Sequence, residues 1–527
     1  MRQPFGKKCT YFCKLESNEQ IPAEPAPVVV EKKQLYGYQE NALNRIFGRL
    51  DAKEKPFNLL FQLPTGGGKT VIFSEIARKY TQQTGKKVMI LTHRIELCGQ
   101  TSRMLDAFEV KNKVITSDVK DLPDKDEFQC FVAMVETLNN RLNEKAFEID
   151  DIGLLIIDEA HYNSFGKLLK FFDKSTILGV TATPLSSNIN LPMNENYDEL
   201  LVGESIESLI EMNYLARANT YSYDLNLSSL NIGINGDYTV RSSEELYSDY
   251  AMQNRLLGAY QDHSLGKKTL IFNNGIKTSR NVCATFENAG YAVKHLDNKN
   301  TAVERRDILL WFKETPDAIL TSVGILTTGF DEPTVDTIIL NRATRSLTLY
   351  FQMIGRGSRI LKDKRHFSVI DLGNNLARFG LWEEHVNWEH IFRNPDMHLT
   401  TIRSDEEIQR EFKYKMPEEI REKFSKSESI DFIIVDVYEE TLKAGKRPKE
   451  VIELSLEQHC QMCMDNSETL QEAKKLATLL NDEVEYRTRK YSHCLAKTTN
   501  SYMKWLHDEY MRKLNVKLIQ KYQVTFI

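Results

Sequence analysis

Short apolar runs separated by helical patterns fill the chain from about residue 35 to residue 370, and they fall into two series. The first series predicts five strands, at 57–63, 88–92, 130–135, 154–157 and 176–180. The second series predicts five more, at 269–272, 292–296, 318–322, 337–340 and 367–370. Strands that alternate with helices are typical of doubly wound parallel sheets. The sequence therefore predicts an α/β fold with two tandem parallel-sheet lobes.

The domain boundaries follow from where these patterns begin and end. Residues 1–34 carry Pro22, Pro25 and Pro27 and show no sustained periodicity, so we expect a flexible N-terminal arm. We assign residues 35–200 to the first lobe and residues 261–395 to the second. The segment between them, 201–260, starts with a helical pattern and continues into an irregular stretch, 226–237, rich in Asn, Ser and Gly.

Beyond residue 395 the β-like runs nearly end, apart from 430–437, and charged helical patterns follow. We expect a mostly helical C-terminal domain over 396–527. Its last part, 487–527, places many lysines and arginines among aromatic residues. That mixture suits phosphate contacts and base stacking, but surface lysines over a helical core would give the same composition. Both interpretations stay open at this point.

The overall composition is that of an ordinary soluble globular protein, with 41% hydrophobic residues, 27% charged residues and a net charge of −5. No apolar run approaches the ~20 residues needed to cross a bilayer, so we expect a cytoplasmic protein without a membrane partner. Eight cysteines in a chain of this length fit reduced thiols better than a disulfide framework.

A glycine-rich stretch follows the first predicted strand and precedes a helical pattern. Its glycines allow consecutive backbone N–H groups to point at one anion. Lys69 can neutralise the terminal phosphates, and the Thr70 hydroxyl can bind magnesium. The usual pattern begins with Gly or Ala where Leu63 stands, so the match is incomplete there. The stretch predicts a nucleoside triphosphate site built from Pro64, Thr65, Gly66, Gly67, Gly68, Lys69 and Thr70.

Two adjacent carboxylates, Asp158 and Glu159, come directly after a predicted buried strand of the first lobe. In an open parallel sheet, ligands bind at the carboxyl ends of the strands. Asp158 can hold the magnesium ion that bridges the phosphates, and Glu159 can orient or deprotonate the attacking water. The alternative is a helix N-terminus that merely carries acidic residues.

Near the end of the second lobe, Arg356 and Arg359 are three residues apart, a spacing that predicts one shared helix face. Paired guanidinium groups can clamp a γ-phosphate, and an arginine finger contributes ~10³ to 10⁵ in rate to this chemistry. We take Arg359 as the preferred finger, with Arg356 beside it and Gln352 as a further catalytic residue. A solvated basic helix end is the alternative.

Together these motifs resemble those of superfamily 2 helicases of the DEAH-box kind over about residues 35–373. The resemblance implies two RecA-like lobes that bind ATP and Mg²⁺ between them and act on nucleic acid. Residues 63–70 correspond to motif I, 158–161 to motif II and 352–359 to motif VI. By the same resemblance, Gln39 reads adenine.

The resemblance also assigns residues of motif V and of the nucleic-acid track. Gly329 and Asp331 of motif V would face the nucleotide from the second lobe. The stretch 322–324 ahead of them departs from the acidic step common in the family. The implied nucleic-acid contacts are His93 and Arg94 of motif Ia, Thr181 and Thr183 of motif III, Asn273 of motif IV, and Thr327 and Thr328 of motif V.

Within the superfamily, the combination of residues 93–97 with residues 158–161 is similar to RadD-like and related DNA-repair helicases. We therefore expect an ATP-dependent helicase that prefers DNA to RNA and acts in repair, recombination or replication. A duplex-DNA translocase of a restriction or defence complex would share all these residues, and an ATP-switched sensor or scaffold is a third alternative. We expect protein partners to bind through the C-terminal domain.

Some RadD-like proteins carry a C-terminal zinc module, which raises the question of zinc at Cys460 and Cys463. Further ligands would be His459, His493 and Cys494. A second Cys-x-x-Cys pair is missing and the spacing is unusual for a tetrahedral site, so the sequence leaves zinc open.

Overall fold

The computed structural model describes residues 34–52, 57–119, 121–122, 124–144, 150–162, 165–187, 191–327, 329–405, 407–408, 414–495 and 500–525. Nearly all of the predicted N-terminal arm lies outside these residues. No helix in this part of the chain has both the length and the apolar character required to span a bilayer.

The first lobe contains a seven-stranded sheet in the order β3-β4-β2-β5-β6-β1-β7, with every pair of neighbours parallel. Its strands are β1 Asn58–Gln62, β2 Lys87–Thr92, β3 Asn112–Ile115, β4 Cys130–Met134, β5 Ile152–Asp158, β6 Thr176–Thr181 and β7 Glu199–Val202. Its helices are α1 Gly37–Ala52, α2 Lys69–Thr84, α3 Ile95–Ala107, α4 Val135–Asn143, α5 Gly166–Leu169 and α6 Ile206–Glu211. Gly85 follows α2 and caps it with a φ of 69°.

The second lobe contains a six-stranded parallel sheet in the order β10-β11-β9-β12-β13-β8. Its strands are β8 Arg217–Ser222, β9 Thr269–Asn273, β10 Val293–Leu296, β11 Ile319–Ser322, β12 Thr337–Asn341 and β13 His366–Asp371. Its helices are α7 Val240–Tyr247, α8 Tyr250–Ser264, α9 Ile276–Asn288, α10 Ala302–Glu314, α11 Leu347–Ile354 and α12 Asn375–Phe379. The predicted α/β fold with two parallel-sheet lobes is confirmed.

The segment assigned to the space between the lobes is divided between them. Strand β7 completes the first sheet, while β8 and α8 belong to the second lobe. The irregular stretch 226–237 is anchored on the second lobe through the Asp237 carboxylate. That carboxylate accepts hydrogen bonds from the Thr344 hydroxyl and the Arg345 backbone N–H, each at 2.7 Å.

The C-terminal domain is helical, with α15 Glu418–Arg421, α16 Ile434–Lys443, α17 Glu450–Asp465, α18 Leu470–Leu479, α19 Asn481–Cys494 and α20 Asn500–Thr525. The β-like run 430–437 therefore enters a helix at its second half and forms no strand. Along α20, Tyr510 and Tyr522 are buried in the core of the domain. Lys517 and Lys521 pair with Glu457 of α17. These contacts favour the structural interpretation of the basic, aromatic C-terminal stretch.

After the second lobe, the chain crosses back to the first lobe in two short helices, α13 Trp388–Arg393 and α14 Pro395–Thr401, which we call the return helices. Phe392 is buried in the hydrophobic core of the first lobe, with Met193 and Tyr197. On the other side, Trp388 packs edge-on against Phe351 of α11, with 5.7 Å between the ring centroids. Helix α13 thus packs against both lobes.

Replacement of Phe392 by alanine should lower the free energy of unfolding by about 3 kcal/mol, because it leaves a cavity in the first lobe. It should also widen the distance between the lobes in solution. Chemical denaturation measures the first effect, and energy transfer between dyes on the two lobes measures the second. The matched control is Met397→Ala, since this apolar side chain of α14 is 56% exposed. Equal effects of the two substitutions would contradict this role of Phe392.

Candidate active site

The turn between β1 and α2 has the backbone geometry expected of a phosphate cradle. Gly66 and Gly68 have φ values of 89° and 82°, a region that glycine enters at little cost. A Cβ atom on Gly68 would lie only 2.4 Å from Nε2 of Gln39. The Tyr38 hydroxyl donates a hydrogen bond to the Gly67 carbonyl at 2.8 Å. The turn therefore needs its glycines, and residues of α1 hold it from one side.

Lys69 is the first residue of α2 and lies inside this turn. Its Nζ donates to the Leu63 carbonyl across 3.4 Å, a long hydrogen bond. Burial lowers the pKa of Lys69, and the nearby negative charges of Glu159 and Asp158 partly oppose that effect. Because a buried charge is costly without a partner, this ammonium group is well placed to bind an anionic ligand such as a triphosphate.

Asp158 ends β5 and Glu159 follows it with a left-handed φ of 50°. Both side chains are buried. Burial raises the pKa of Asp158 to about 7, and the charge of Glu159 adds to that effect. Burial also acts to raise the pKa of Glu159, but the positive charge of Lys69, together with that of Arg356, outweighs it, so that this pKa is lowered. Glu159 is thus the ionised carboxylate of the pair.

The same residues fit a magnesium ion. Mg²⁺ prefers hard oxygen ligands and is usually held by one or two carboxylates together with substrate phosphates. Asp158 supplies a buried carboxyl whose charge is costly without a cation, and Thr70 supplies a hydroxyl in the first turn of α2. These two side chains would hold the ion beside the phosphates.

A chain of hydrogen bonds crosses from the second lobe to the first. Gln352 donates from Nε2 to His161 Nε2 at 3.0 Å, and His161 donates from Nδ1 to the Thr181 hydroxyl at 3.1 Å. Thr181 in turn donates to the Thr183 carbonyl at 3.0 Å. Burial lowers the pKa of His161, which keeps the ring neutral, and we assign its tautomer from these partners. The relay joins motif VI to motifs II and III.

Gln352→Ala should reduce ATP turnover about tenfold while leaving nucleotide affinity unchanged, because it removes one buried hydrogen bond between the lobes. Steady-state turnover and titration with a fluorescent ATP analogue measure the two quantities. Thr348→Ala, one turn earlier on α11, is the control. A matching loss of affinity in Gln352→Ala would place this side chain in nucleotide binding instead.

The two arginines of motif VI are held by motif V. Arg356 donates from Nη1 to the Phe330 carbonyl at 2.6 Å and from Nη2 to the Thr327 carbonyl at 2.7 Å. Burial lowers the pKa of Arg356 to about 10, and the charge of Arg359 adds to the effect. Arg359 pairs through Nε with the Asp331 carboxylate at 2.8 Å.

The turn that carries these arginines lies directly against the phosphate cradle. A Cβ atom on Gly355 would lie 2.6 Å from Cβ of Thr65. A Cβ atom on Gly66 would lie 2.9 Å from Oγ of Ser358 and 3.5 Å from Nη1 of Arg359. The structure thus brings the predicted finger and the predicted cradle together across the boundary between the lobes.

The residues expected to contact nucleic acid fall into two groups. Arg94 donates to the carbonyls of Ile325 and Gly324, at 2.7 and 3.2 Å, and so bridges the lobes. Its role on nucleic acid stays a prediction. Thr181 and Thr183 are wholly buried in the relay described above. They reach the predicted nucleic-acid track only through other residues.

Three further predicted contacts lie in the second lobe. Asn273 is 1% exposed, and its amide donates to the Thr321 hydroxyl at 2.8 Å. This placement favours a structural role at the end of β9 over a contact with nucleic acid. Thr327 is also buried and donates to the Gly324 carbonyl at 2.8 Å. Thr328 lies outside the described residues.

The structure places a cluster of three tyrosines beside the cradle that the sequence analysis did not predict. The ring of Tyr214 lies 4.5 Å from that of Tyr36 and 4.8 Å from that of Tyr38, measured between centroids. Gln39 accepts a hydrogen bond from the Tyr36 backbone N–H at 3.0 Å. The spacing of Tyr36 and Tyr38 on either side of a glycine was the available signal. Nothing in the sequence connects the distant Tyr214 to them.

The two cysteines considered for zinc lie on α17, with both side chains buried in the helical core. The neighbouring His459 is hydrogen-bonded through Nδ1 to the Tyr510 hydroxyl at 2.8 Å. Over the described stretches of the chain, no cluster of three or more His, Cys, Asp or Glu residues could hold a metal ion. The side chain of His493 lies outside the described part. The structure gives zinc no support there.

Two family descriptions match the chain, one on each lobe. The Type III restriction enzyme, res subunit family matches residues 32–186, and the Helicase conserved C-terminal domain family matches residues 250–361. The first match includes the phosphate cradle, and the second includes the turn that carries Arg356 and Arg359.

Similar proteins include a 51.5 kDa protein of a Lactococcus phage (isolate 7-9), 28% identical over 63% of this chain and 69% of its own length. A Saccharomyces cerevisiae protein named as an ATP-dependent helicase, IRC3, is 29% identical over 64% of this chain. The chain spans about half of that relative, 51% of its length.

Two solved structures share the fold. A fragment assigned as the HsdR subunit of a type I restriction enzyme from Vibrio vulnificus YJ016 has a TM-score of 0.50 and 22% identity, and the match covers 63% of each chain. The Type ISP restriction-modification enzyme LlaBIII has a TM-score of 0.51 and 15% identity, over 93% of this chain and 40% of that one.

These matches agree with the two parallel-sheet lobes. The two family matches, one on each lobe, support a superfamily 2 helicase that hydrolyses ATP.

Proposed function

We propose that this protein is an ATP-driven motor that unwinds DNA, of the DEAH-box, RadD-like kind, and that it works in repair, recombination or replication. One observation carries the proposal. The turn bearing Arg356 and Arg359 lies against the phosphate cradle of the other lobe, so that each lobe supplies half of one hydrolytic site. A site divided in this way changes whenever the lobes move.

Each side chain has a distinct task in this proposal. The glycine turn and Lys69 bind the phosphates of ATP. Asp158 and Thr70 would hold Mg²⁺, which supplies charge neutralisation when it is bound. Glu159 orients the attacking water and accepts its proton. Arg359 stabilises the charge that develops on the γ-phosphate.

The relay from Gln352 through His161 to Thr181 provides a route between hydrolysis and movement. Gln352 belongs to the second lobe and His161 to the first, so separation of the lobes breaks the hydrogen bond between them. His161 also lies 3.4 Å from the Glu159 carboxylate. Lobe opening thus removes a positioning contact of the residue that acts on water.

A duplex-DNA translocase within a restriction or defence complex is the second candidate. It is favoured by the shared fold with LlaBIII and the HsdR fragment, both described as restriction enzymes. A switch or scaffold without turnover is less well supported, because the chain retains both the buried Glu159 and Arg359 against the cradle.

The test compares ATP turnover with single-stranded DNA, duplex DNA, forked DNA and RNA at one fixed salt concentration, since affinity depends strongly on salt. The helicase proposal predicts stimulation by forked and single-stranded DNA and separation of the fork. Displacement of a triplex strand without fork separation would favour the translocase. Turnover that no nucleic acid stimulates would overturn both.

A further inference from the structure

A cavity of about 270 Å³ opens on the first lobe and is lined entirely by residues of that lobe. It lies where β2 and β4 end, between His93 after β2 and the first turn of α4. Carboxyl ends of parallel strands are the usual position for ligands in such sheets. None of the motifs that hold ATP contributes to its wall.

Two exposed charged side chains line this cavity. Glu136 and Lys167 carry opposite charges, yet among the described residues neither forms a hydrogen bond or an ion pair through its side chain. Asn139 accepts a hydrogen bond from Asn143 at 3.1 Å, which leaves its own amide N–H groups able to donate. The wall is completed by the buried apolar side chains of Val135 and Leu168.

A row of three rings leads from the cavity to the hydrolytic site. The His93 ring lies 4.7 Å from that of Tyr162, and the Tyr162 ring lies 4.5 Å from that of His161. His161 lies 3.4 Å from the Glu159 carboxylate. An occupant that shifts His93 would therefore disturb a contact of the residue that acts on water.

We propose that this cavity, which we call the base recess, binds one unstacked nucleobase that carries an exocyclic amino group. The inference rests on the proposed function, because it requires a strand of nucleic acid on the first lobe. The apolar wall and the His93 ring suit a flat heterocycle. The Glu136 carboxylate accepts from an amino group, as acidic side chains do from cytosine N4, and Lys167 is placed to contact the phosphate of that nucleotide.

The consequence is a preference among bases. Cytosine, adenine and guanine carry an exocyclic amino group, whereas thymine presents a carbonyl oxygen at the corresponding position. Cytosine and thymine are both single rings, so a comparison between them isolates the amino group. Binding of a cytosine strand should exceed binding of a thymine strand about tenfold, in line with one good polar base contact.

The experiment measures binding of oligo-dC and oligo-dT to the full chain by fluorescence anisotropy at one salt concentration, together with ATP turnover on each. Glu136→Ala should reduce the dC to dT ratio to near one without weakening dT binding. Glu144→Ala, at the C-cap of the same helix and outside the recess, should preserve the ratio. Tyr162→Leu should retain the preference in binding and lose it in turnover.

Two results would overturn the recess and leave the motor intact. The first is equal binding of dC and dT by the unaltered protein, and the second is an unchanged ratio in Glu136→Ala. Failure of every oligonucleotide to bind or to stimulate turnover would refute the proposed function itself, and the recess with it.

Discussion

Replacement of Lys69 by alanine should abolish DNA-stimulated ATP hydrolysis, with turnover reduced by at least about 10²-fold. Lys69 is the cation inside the glycine turn, and its hydrogen bond to the Leu63 carbonyl is long, at 3.4 Å. The phosphates of ATP would supply an anionic partner for this buried ammonium group. Without Lys69, the negative phosphates would lie near the carboxylates of Asp158 and Glu159 with one fewer positive charge to offset the repulsion.

The fold should survive this substitution, because the native ammonium group makes so weak a contact. We expect the thermal unfolding midpoint to stay within a few degrees of the original. Steady-state turnover and nucleotide titration measure the loss, and Lys79→Ala on the same helix α2 is the control. Undiminished turnover in Lys69→Ala would show that the glycine turn is not the phosphate site.

Replacement of Arg359 by alanine should remove ~10³ to 10⁵ of the hydrolytic rate, the contribution of an arginine finger. Arg359 approaches the cradle at Gly66 and pairs with Asp331, whose side chain is 56% exposed. An ion pair so open to solvent contributes little to folding. The variant should therefore bind ATP and remain folded while it fails to hydrolyse.

Arg356→Ala separates this effect from structural damage. Arg356 is buried and holds the carbonyls of Thr327 and Phe330, so its loss should destabilise the second lobe as well as slow turnover. The exposed Arg365→Ala should do neither. Full turnover in purified Arg359→Ala would rule out this residue as the finger.

Much of the fold could be read from the pattern of apolar runs, and the strands that escaped share one physical feature. β3, β7 and β8 lie at sheet edges. An edge strand is covered on fewer sides, so its sequence needs no continuous apolar run. In β8, for example, Ala218 is the one buried residue of six. The ten predicted strands include all the inner strands of both sheets.

The site also has a part that the sequence predicts and a part that it does not. Its motifs are local in sequence, because a phosphate turn or a carboxylate pair needs neighbouring residues. Contacts across the cleft are different, since they depend on how the two lobes close. No pattern in the chain connects Gln352 to His161, and none places Tyr214 beside Tyr36. Asn273 is the opposite case. The resemblance assigned it to nucleic acid, whereas in the structure its amide bonds to Thr321 inside the second lobe.

The central claim is that one lobe holds the triphosphate and the other supplies the guanidinium group that triggers hydrolysis. A structure of the full chain with ADP–beryllium fluoride and single-stranded DNA tests it most directly. The account predicts that Arg359 leaves Asp331 and lies at about 3 Å, hydrogen-bond distance, from the fluoride at the γ position. An Arg359 that still pairs with Asp331, with Arg356 also remote from the γ position, would contradict it.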